Sequence, residues 1–138
     1  MLFRSRALTF ANRLTTVLTN HPKPEVLTAA EWDRKRTAGL ARGYWVAGVI
    51  YGEKGNYKAA DQKLRASLPL IKGNDAMLGP ALFYLGMSDY QLGKMTLNKS
   101  LVQDAAKFSE QASTIDGAYA EQARHNALVM KQEAARMR

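Results

Sequence analysis

The sequence predicts an all-α protein, and three observations lead to this prediction. Apolar residues recur at intervals of three and four residues along most of the chain, and the strict alternation of a β-strand does not occur. Each periodic segment is bounded by prolines, glycines or helix-capping residues. The chain has 138 residues, of which 46% are hydrophobic and 23% charged, which suits one domain with a buried core.

The predicted helices follow these boundary signals in chain order. Prolines in the segment HPKPE (21–25) end the first helix, because a proline disfavours helical geometry in the preceding residue. Thr28 with Glu31 predicts a capping box before the second helix, and Ser100 with Gln103 predicts another before the fifth. The predicted helices cover approximately residues 6–20, 29–55, 57–70, 76–92, 100–115 and 118 to near the C-terminus, with Pro80 in the first turn of the fourth helix or at a slight kink.

Composition and spacing argue against most kinds of catalytic chemistry. The chain has no cysteine, so disulfides, thiolate nucleophiles and cysteine-based metal sites are excluded. Its two histidines, His21 and His125, have no acid–base or ligand constellation around them, since the single pairing of Glu121 with His125 is commonplace on a helix surface. No phosphate-binding glycine loop and no membrane-spanning apolar run occur. We therefore expect no catalytic residue, no metal site and no cofactor.

The charge balance indicates the chemistry of partners. A net charge of +8 and a pI near 9.9 favour acidic proteins, nucleic acids and anionic lipids through long-range electrostatics. The cationic residues are nevertheless scattered from Arg4 to Arg138, and only DRKR (33–36) is locally dense. This distribution is typical of solvated helix faces, so a nucleic-acid-binding surface is the less favoured interpretation.

Two segments of the chain repeat one another. WVAGVIYGEKGNY and FYLGMSDYQLGKM align at a shift of 38 residues. The shift places Gly48 on Gly86, Gly55 on Gly93, and Trp45 on Phe83. An internal repeat of this length predicts stacked helical hairpins.

This pattern, with an alanine and a large apolar residue in each following helix, resembles the tetratricopeptide repeat of bacterial helical domains. The resemblance implies a right-handed α-α superhelix of helical hairpins. It departs from the family at Asp89, where a tyrosine between helices is expected, and in a longer Lys94–Ser100 loop. From the resemblance we predict a single domain of residues 1–138. It would consist of an N-terminal helix and loop (6–28), two repeats (29–72 and 73–116) and a capping helix (117–138).

The resemblance also implies which residues set the distances between helices. Gly48 and Ala60 would lie where two helices approach closely, and Gly55 would supply the positive φ of a turn. The predicted packing residues are Tyr44, Ala47, Gly48, Tyr51, Gly55, Tyr57, Ala60, Leu64, Leu85, Gly86, Gly93 and Phe108.

A binding groove is the second implication of the resemblance, because the first helices of successive repeats line a concave surface that holds a partner peptide. The corresponding positions are apolar and aromatic, without the lysine, asparagine and arginine clamp that binds chaperone C-termini in part of the family. The predicted groove residues are Trp45, Val49, Gly52, Phe83, Met87 and Tyr90, with Arg42 steering acidic partners. They would face away from the packing residues, so both long helices are apolar on two faces.

These observations predict a non-enzymatic scaffold that binds an acidic, apolar protein or peptide segment. The alternative is a structural module whose groove is filled by residues 6–20 or by a second copy, as a homodimer or as a fragment of a longer array. The segment LFRS (2–5) matches a translated sequencing adapter, so we expect the native N-terminus, with any export signal, to be missing. Cytoplasm and periplasm both remain open.

Overall fold

The computed structural model describes residues 2–138, with side chains from Phe3 onward, and these residues form helices joined by short turns. The all-α prediction is therefore confirmed, and no strand occurs in the described part of the chain. The helices are α1 (Leu2–Asn20), α2 (Ala29–Lys54), α3 (Tyr57–Ser67), α4 (Asp75–Met95), α5 (Lys99–Ser113) and α6 (Ala120–Arg136).

Local signals fix most of the helix boundaries. The Thr28 side chain accepts a hydrogen bond from the backbone N–H of Glu31 at 3.1 Å, which confirms the predicted cap of α2. Gly55 ends that helix with a φ of 80°, as expected for the turn that follows. The third predicted helix, α3, is shorter than expected, because Pro69 has no N–H to donate and Leu68–Leu70 continues as a 3₁₀ turn.

Three predictions near the later helices need correction. The capping box of Ser100 with Gln103 is wrong, because α5 already begins at Lys99 and the Asn98 side chain accepts the N–H of Leu101 at 3.1 Å. Pro80 lies beyond the first turn of α4, inside the helix, so its placement in the first turn is corrected and the alternative of a slight kink stays a prediction. Helix α6 begins at Ala120, two residues later than predicted, because Ala118 and Tyr119 form a turn in which the N–H of Ala120 donates to the carbonyl of Gly117 at 3.4 Å.

The corrected cap of α5 gives a direct stability test. Replacing Asn98 by alanine is expected to lower the free energy of unfolding by about 1 kcal/mol, since the N–H of Leu101 loses its acceptor. Ser100→Ala serves as the matched control and is expected to change it by less than about 0.5 kcal/mol. Chemical denaturation followed by circular dichroism measures both values. Equal losses in the two variants would contradict this assignment of the cap.

Consecutive helices pack on one another, and two further contacts join alternate helices. Helix α4 touches α2 as well as α3 and α5, and α6 touches α4 as well as α5. The centre of the molecule is formed by Leu64, Leu85 and Val102, which are fully buried together with many alanines. These small and branched residues keep the helices close along the whole array.

The two repeat-related glycines lie at equivalent close approaches. A Cβ on Gly48 would stand 2.5 Å from the Leu64 side chain, at the contact between α2 and α3. A Cβ on Gly86 would stand 2.5 Å from Oγ of Ser109, at the contact between α4 and α5. The alignment of these glycines therefore corresponds to the same physical requirement in both hairpins.

Candidate functional site

Three of the predicted groove residues lie in contacts between helices. Trp45 is partly buried, and its indole N–H donates to the carbonyl of Met77 at 2.8 Å. Val49 packs on the core formed by α2, α3 and α4. Gly52 is buried, and a Cβ there would meet the Tyr84 side chain at 3.0 Å, so the expectation that it faces an open groove is corrected. The start and middle of α4 cover this face of α2.

Phe83 is likewise covered. Its side chain is 8% exposed, and its ring lies 4.7 Å from that of Tyr119 and 5.2 Å from that of Tyr84. Burial, together with a hydrogen bond with Tyr119, raises the pKa of Tyr84. The rings of Phe83, Tyr84 and Tyr119 therefore join α4 to the residue that precedes α6. Because these contacts bury Phe83, the expectation that it is open to a partner is corrected.

Met87 and Tyr90 are brought together at an accessible cleft between α4 and α6. The cleft has a volume of about 280 Å³. On the α6 side it is lined by Gln122, His125, Asn126, Val129 and Met130. The ammonium group of Lys94 lies 4.4 Å from the centre of the Tyr90 ring. Met87 and Tyr90 are both partly exposed, and their role in binding remains a prediction.

Arg42 belongs to a different and larger surface, which we term the α2 depression. It has a volume of about 750 Å³ and opens between α1, α2 and the start of α4. Its lining residues are Phe10, Leu14, Ala38, Gly39, Ala41, Arg42, Leu70, Ile71, Lys72, Asn74 and Met77. Most of them are apolar, Arg42 and Lys72 supply positive charge, and none is acidic.

Of the residues that line this surface, only Arg42 was predicted from the sequence as a candidate, and Phe10 is one of those that were missed. Its helical spacing made it part of the apolar face of the first helix, yet its side chain is 68% exposed. The residues of α1 that are buried are Ala11 and Thr15, which lie against Gly43 of α2. Phe10 therefore lies to one side of the α1–α2 contact. The spacing of seven residues between Phe3, Phe10 and Val17 was the available signal for this separate stripe.

Asp89, the position that departs from the repeat pattern, is fully buried and forms an ionic cluster with the partly exposed side chains of Arg65 and Asp61. A guanidinium nitrogen of Arg65 donates to Oδ2 of Asp89 at 2.6 Å, and Nε of Arg65 donates to Oδ1 of Asp61 at 2.6 Å. The Arg65 guanidinium also lies 5.2 Å from the centre of the Phe108 ring. Arg65 of α3 thus contacts both α4, through Asp89, and α5, through Phe108.

Burial and the contacts within this cluster shift the pKa values of its two carboxyl groups, Asp61 and Asp89, in opposite directions. Burial and the neighbouring Asp61 carboxyl raise the pKa of Asp89 to about 8, against the opposing effect of Arg65. For Asp61 burial acts to raise the pKa, but hydrogen bonds with Asp89 and Arg65 outweigh it and the pKa is lowered. The Asp89 side chain has no exposed surface, so a substrate cannot reach it. We therefore interpret the carboxyl pair as a structural tie rather than an acid–base pair.

Known proteins, metal-ligand clusters and membrane-spanning helices give no further indication of a functional site in the described part of the chain. No protein-family model, curated protein or solved structure matches the chain. Among the described residues no group of three or more histidine, aspartate or glutamate side chains is placed to hold a metal ion. None of the helices in residues 2–138 is both long enough and apolar enough to cross a membrane. The α2 depression is therefore the surface on which a function is best argued.

Proposed function

We propose that this chain is a non-enzymatic, tetratricopeptide-like scaffold that binds an apolar segment of another protein in the α2 depression. The observation that carries the proposal is the lining of that depression. An apolar hollow of about 750 Å³ is bordered by an exposed phenylalanine, Phe10, and by two cations, Arg42 and Lys72. Aromatic and arginine side chains beside an apolar hollow are typical of the residues that contribute most affinity in protein interfaces.

The polar groups of the depression favour a protein segment over a small polar ligand. A small-molecule site needs several converging polar groups that fix one orientation. Here the side-chain oxygen of Asn74 is already used, because it caps α4 by accepting the N–H of Met77. The rest of the lining is mostly apolar, and the cationic side chains of Arg42 and Lys72 lie at its edge. Such a surface suits apolar side chains that are flanked by acidic ones.

The helix packing gives independent support to the scaffold class. Gly48 and Gly86 occupy equivalent close approaches in two successive hairpins, as the repeat resemblance requires. Helical repeats of this kind present extended surfaces rather than reaction centres. The cleft of Met87 and Tyr90 is a second accessible surface on the same array, and we propose that it contributes to the same class of function.

A cross-linking experiment tests the proposed function. Because the chain has no native cysteine, Ala38→Cys creates one reactive thiol on the lining of the depression, and Leu128→Cys creates one on the exposed side of α6. Each variant is labelled with a benzophenone maleimide and irradiated in a lysate of the source cells. We expect one protein to cross-link from position 38 and not from position 128.

The cross-linked segment is then synthesised and titrated against purified variants. Ala38→Glu fills the hollow and repels acidic side chains, so it is expected to weaken binding by about ten-fold or more, whereas Leu128→Glu is expected to change it by less than about two-fold. Circular dichroism verifies that both variants keep their helix content. Identical cross-links from both positions, or equal affinity of both variants, would refute the proposed site.

A further inference from the structure

Helix α1 carries an apolar stripe that no other helix of the described chain covers. Phe3, Phe10 and Val17 are 85%, 68% and 48% exposed, and they follow one another at seven-residue spacing. Because an α-helix rises 1.5 Å per residue, the stripe is about 21 Å long. Leu14 lies beside it, partly buried, and leads into the α2 depression. The stripe and the depression thus form one continuous apolar surface.

Positive charge borders this surface on both sides. On its outer side Arg6 and Arg13 flank Phe10 in a shallow hollow of about 320 Å³. On its inner side Arg42 and Lys72 line the α2 depression. Helix α1 contains three arginines and no acidic residue, and neither hollow has an acidic residue in its lining. A ligand that lies along Phe10 therefore meets cations at both of its edges.

We propose that the occupant of this surface is an amphipathic α-helix of a partner protein, with apolar residues on one face and acidic residues along both flanks. The inference rests on the proposed function and names the partner's chemistry. Side chains repeating every seven residues along a straight helix are complemented by another helix packed alongside. An extended peptide gains its affinity from backbone hydrogen bonds, and the backbone groups within α1 and α2 are already paired inside those helices.

The same features disfavour a second copy and a membrane as the occupant. Two α1 helices packed along their stripes would bring Arg6 and Arg13 of each copy together, while Glu53 of α2 is already paired with Arg4, on chains that each carry a net charge of +8. A flat lipid surface would contact Phe10 but leave the hollow between Phe10 and Met77 empty.

Selection from a peptide library tests the proposal. The purified chain is used to select from phage-displayed peptides of about 20 residues and unrestricted sequence, the length that covers the stripe. Selected peptides are titrated by fluorescence anisotropy against the wild type, Phe10→Ser, and the matched control Leu128→Ser, which replaces an exposed apolar residue of α6. Vesicles of phosphatidylcholine with phosphatidylserine are tested in parallel with the same three proteins.

We expect the selected peptides to show apolar residues at helical spacing with an excess of Glu and Asp between them. Their affinity should fall about ten-fold or more in Phe10→Ser and less than about two-fold in Leu128→Ser. It should also weaken as salt is raised. Selected peptides without helical spacing or acidic excess, equal binding by both variants, no selection at all, or Phe10-dependent vesicle binding without helix binding would each overturn the proposal.

The two proposals fail in different ways. If position 38 still cross-links to one partner segment while the selected peptides are basic or extended, the helix assignment is wrong and the scaffold function stands. If neither experiment yields a ligand that depends on this surface, both proposals are wrong.

Discussion

Replacing Gly48 by valine is expected to lower the free energy of unfolding by about 2–4 kcal/mol. A Cβ at this position would stand 2.5 Å from Cγ of Leu64 and 3.1 Å from its backbone nitrogen. Leu64 is fully buried, so its side chain cannot move aside without disturbing the core. Relief therefore requires α2 and α3 to separate. Urea denaturation followed by circular dichroism measures the loss.

Gly79 of α4 provides the control for this prediction. Its Cβ would find one neighbour, Ile115, at 3.6 Å, which is an ordinary contact. Gly79→Ala is therefore expected to leave stability unchanged or raise it by up to about 1 kcal/mol through its helix propensity. A loss of less than about 1 kcal/mol in Gly48→Val, or equal losses in the two variants, would contradict the close approach of α2 and α3.

The second large effect concerns Asp89 and pH. Its pKa is about 8 in the folded chain and near 3.8 when solvated, so the folded state binds a proton that the unfolded state releases between these values. The free energy of unfolding should therefore fall as pH rises from about 4 to about 8 and level off above that. A difference of about four pH units sets an upper limit of about 5 kcal/mol on this loss. The protonated form is favoured in the folded chain because the buried site disfavours a charge on Asp89, and because protonation leaves one carboxylate rather than two beside Arg65.

Asp89→Asn is expected to remove most of this pH dependence. The amide keeps an oxygen for Arg65 and offers N–H donors to Asp61, as the protonated acid does. The variant should be more stable than the wild type at about pH 8 and above, and the difference should shrink towards about pH 4. Asp33→Asn, an exposed substitution on α2, should retain the wild-type profile. A wild-type stability that rises over this range would contradict the buried, protonated assignment.

The helices could be predicted from the sequence because their ends depend on local chemistry. Thr28 caps α2 through a residue three positions away, and Gly55 ends it through its own backbone conformation. The aligned glycines Gly48 and Gly86 were also predictable, since a repeat places the same packing requirement at the same position. The start of α5 was missed because Asn98 and Ser100 both have suitable side chains, and the geometry of the preceding turn decides between them.

The candidate site was less predictable because it depends on which helix covers which face. Periodicity revealed a second apolar face on α2, but Trp45 and Gly52 on that face are covered by α4. Phe10 was not predicted as a site residue, and its side chain is mostly exposed. Asp89 departed from the repeat pattern, and its explanation, Arg65, lies 24 residues away along the chain.

Amide hydrogen exchange on the partner complex tests the central claim most directly. The full chain is compared with and without the segment cross-linked from position 38. The account predicts slower exchange in residues 7–18 of α1, 38–46 of α2 and 70–77, and unchanged exchange in α5 and α6. Protection confined to α5 and α6, or protection nowhere, would contradict binding of a protein segment in the α2 depression.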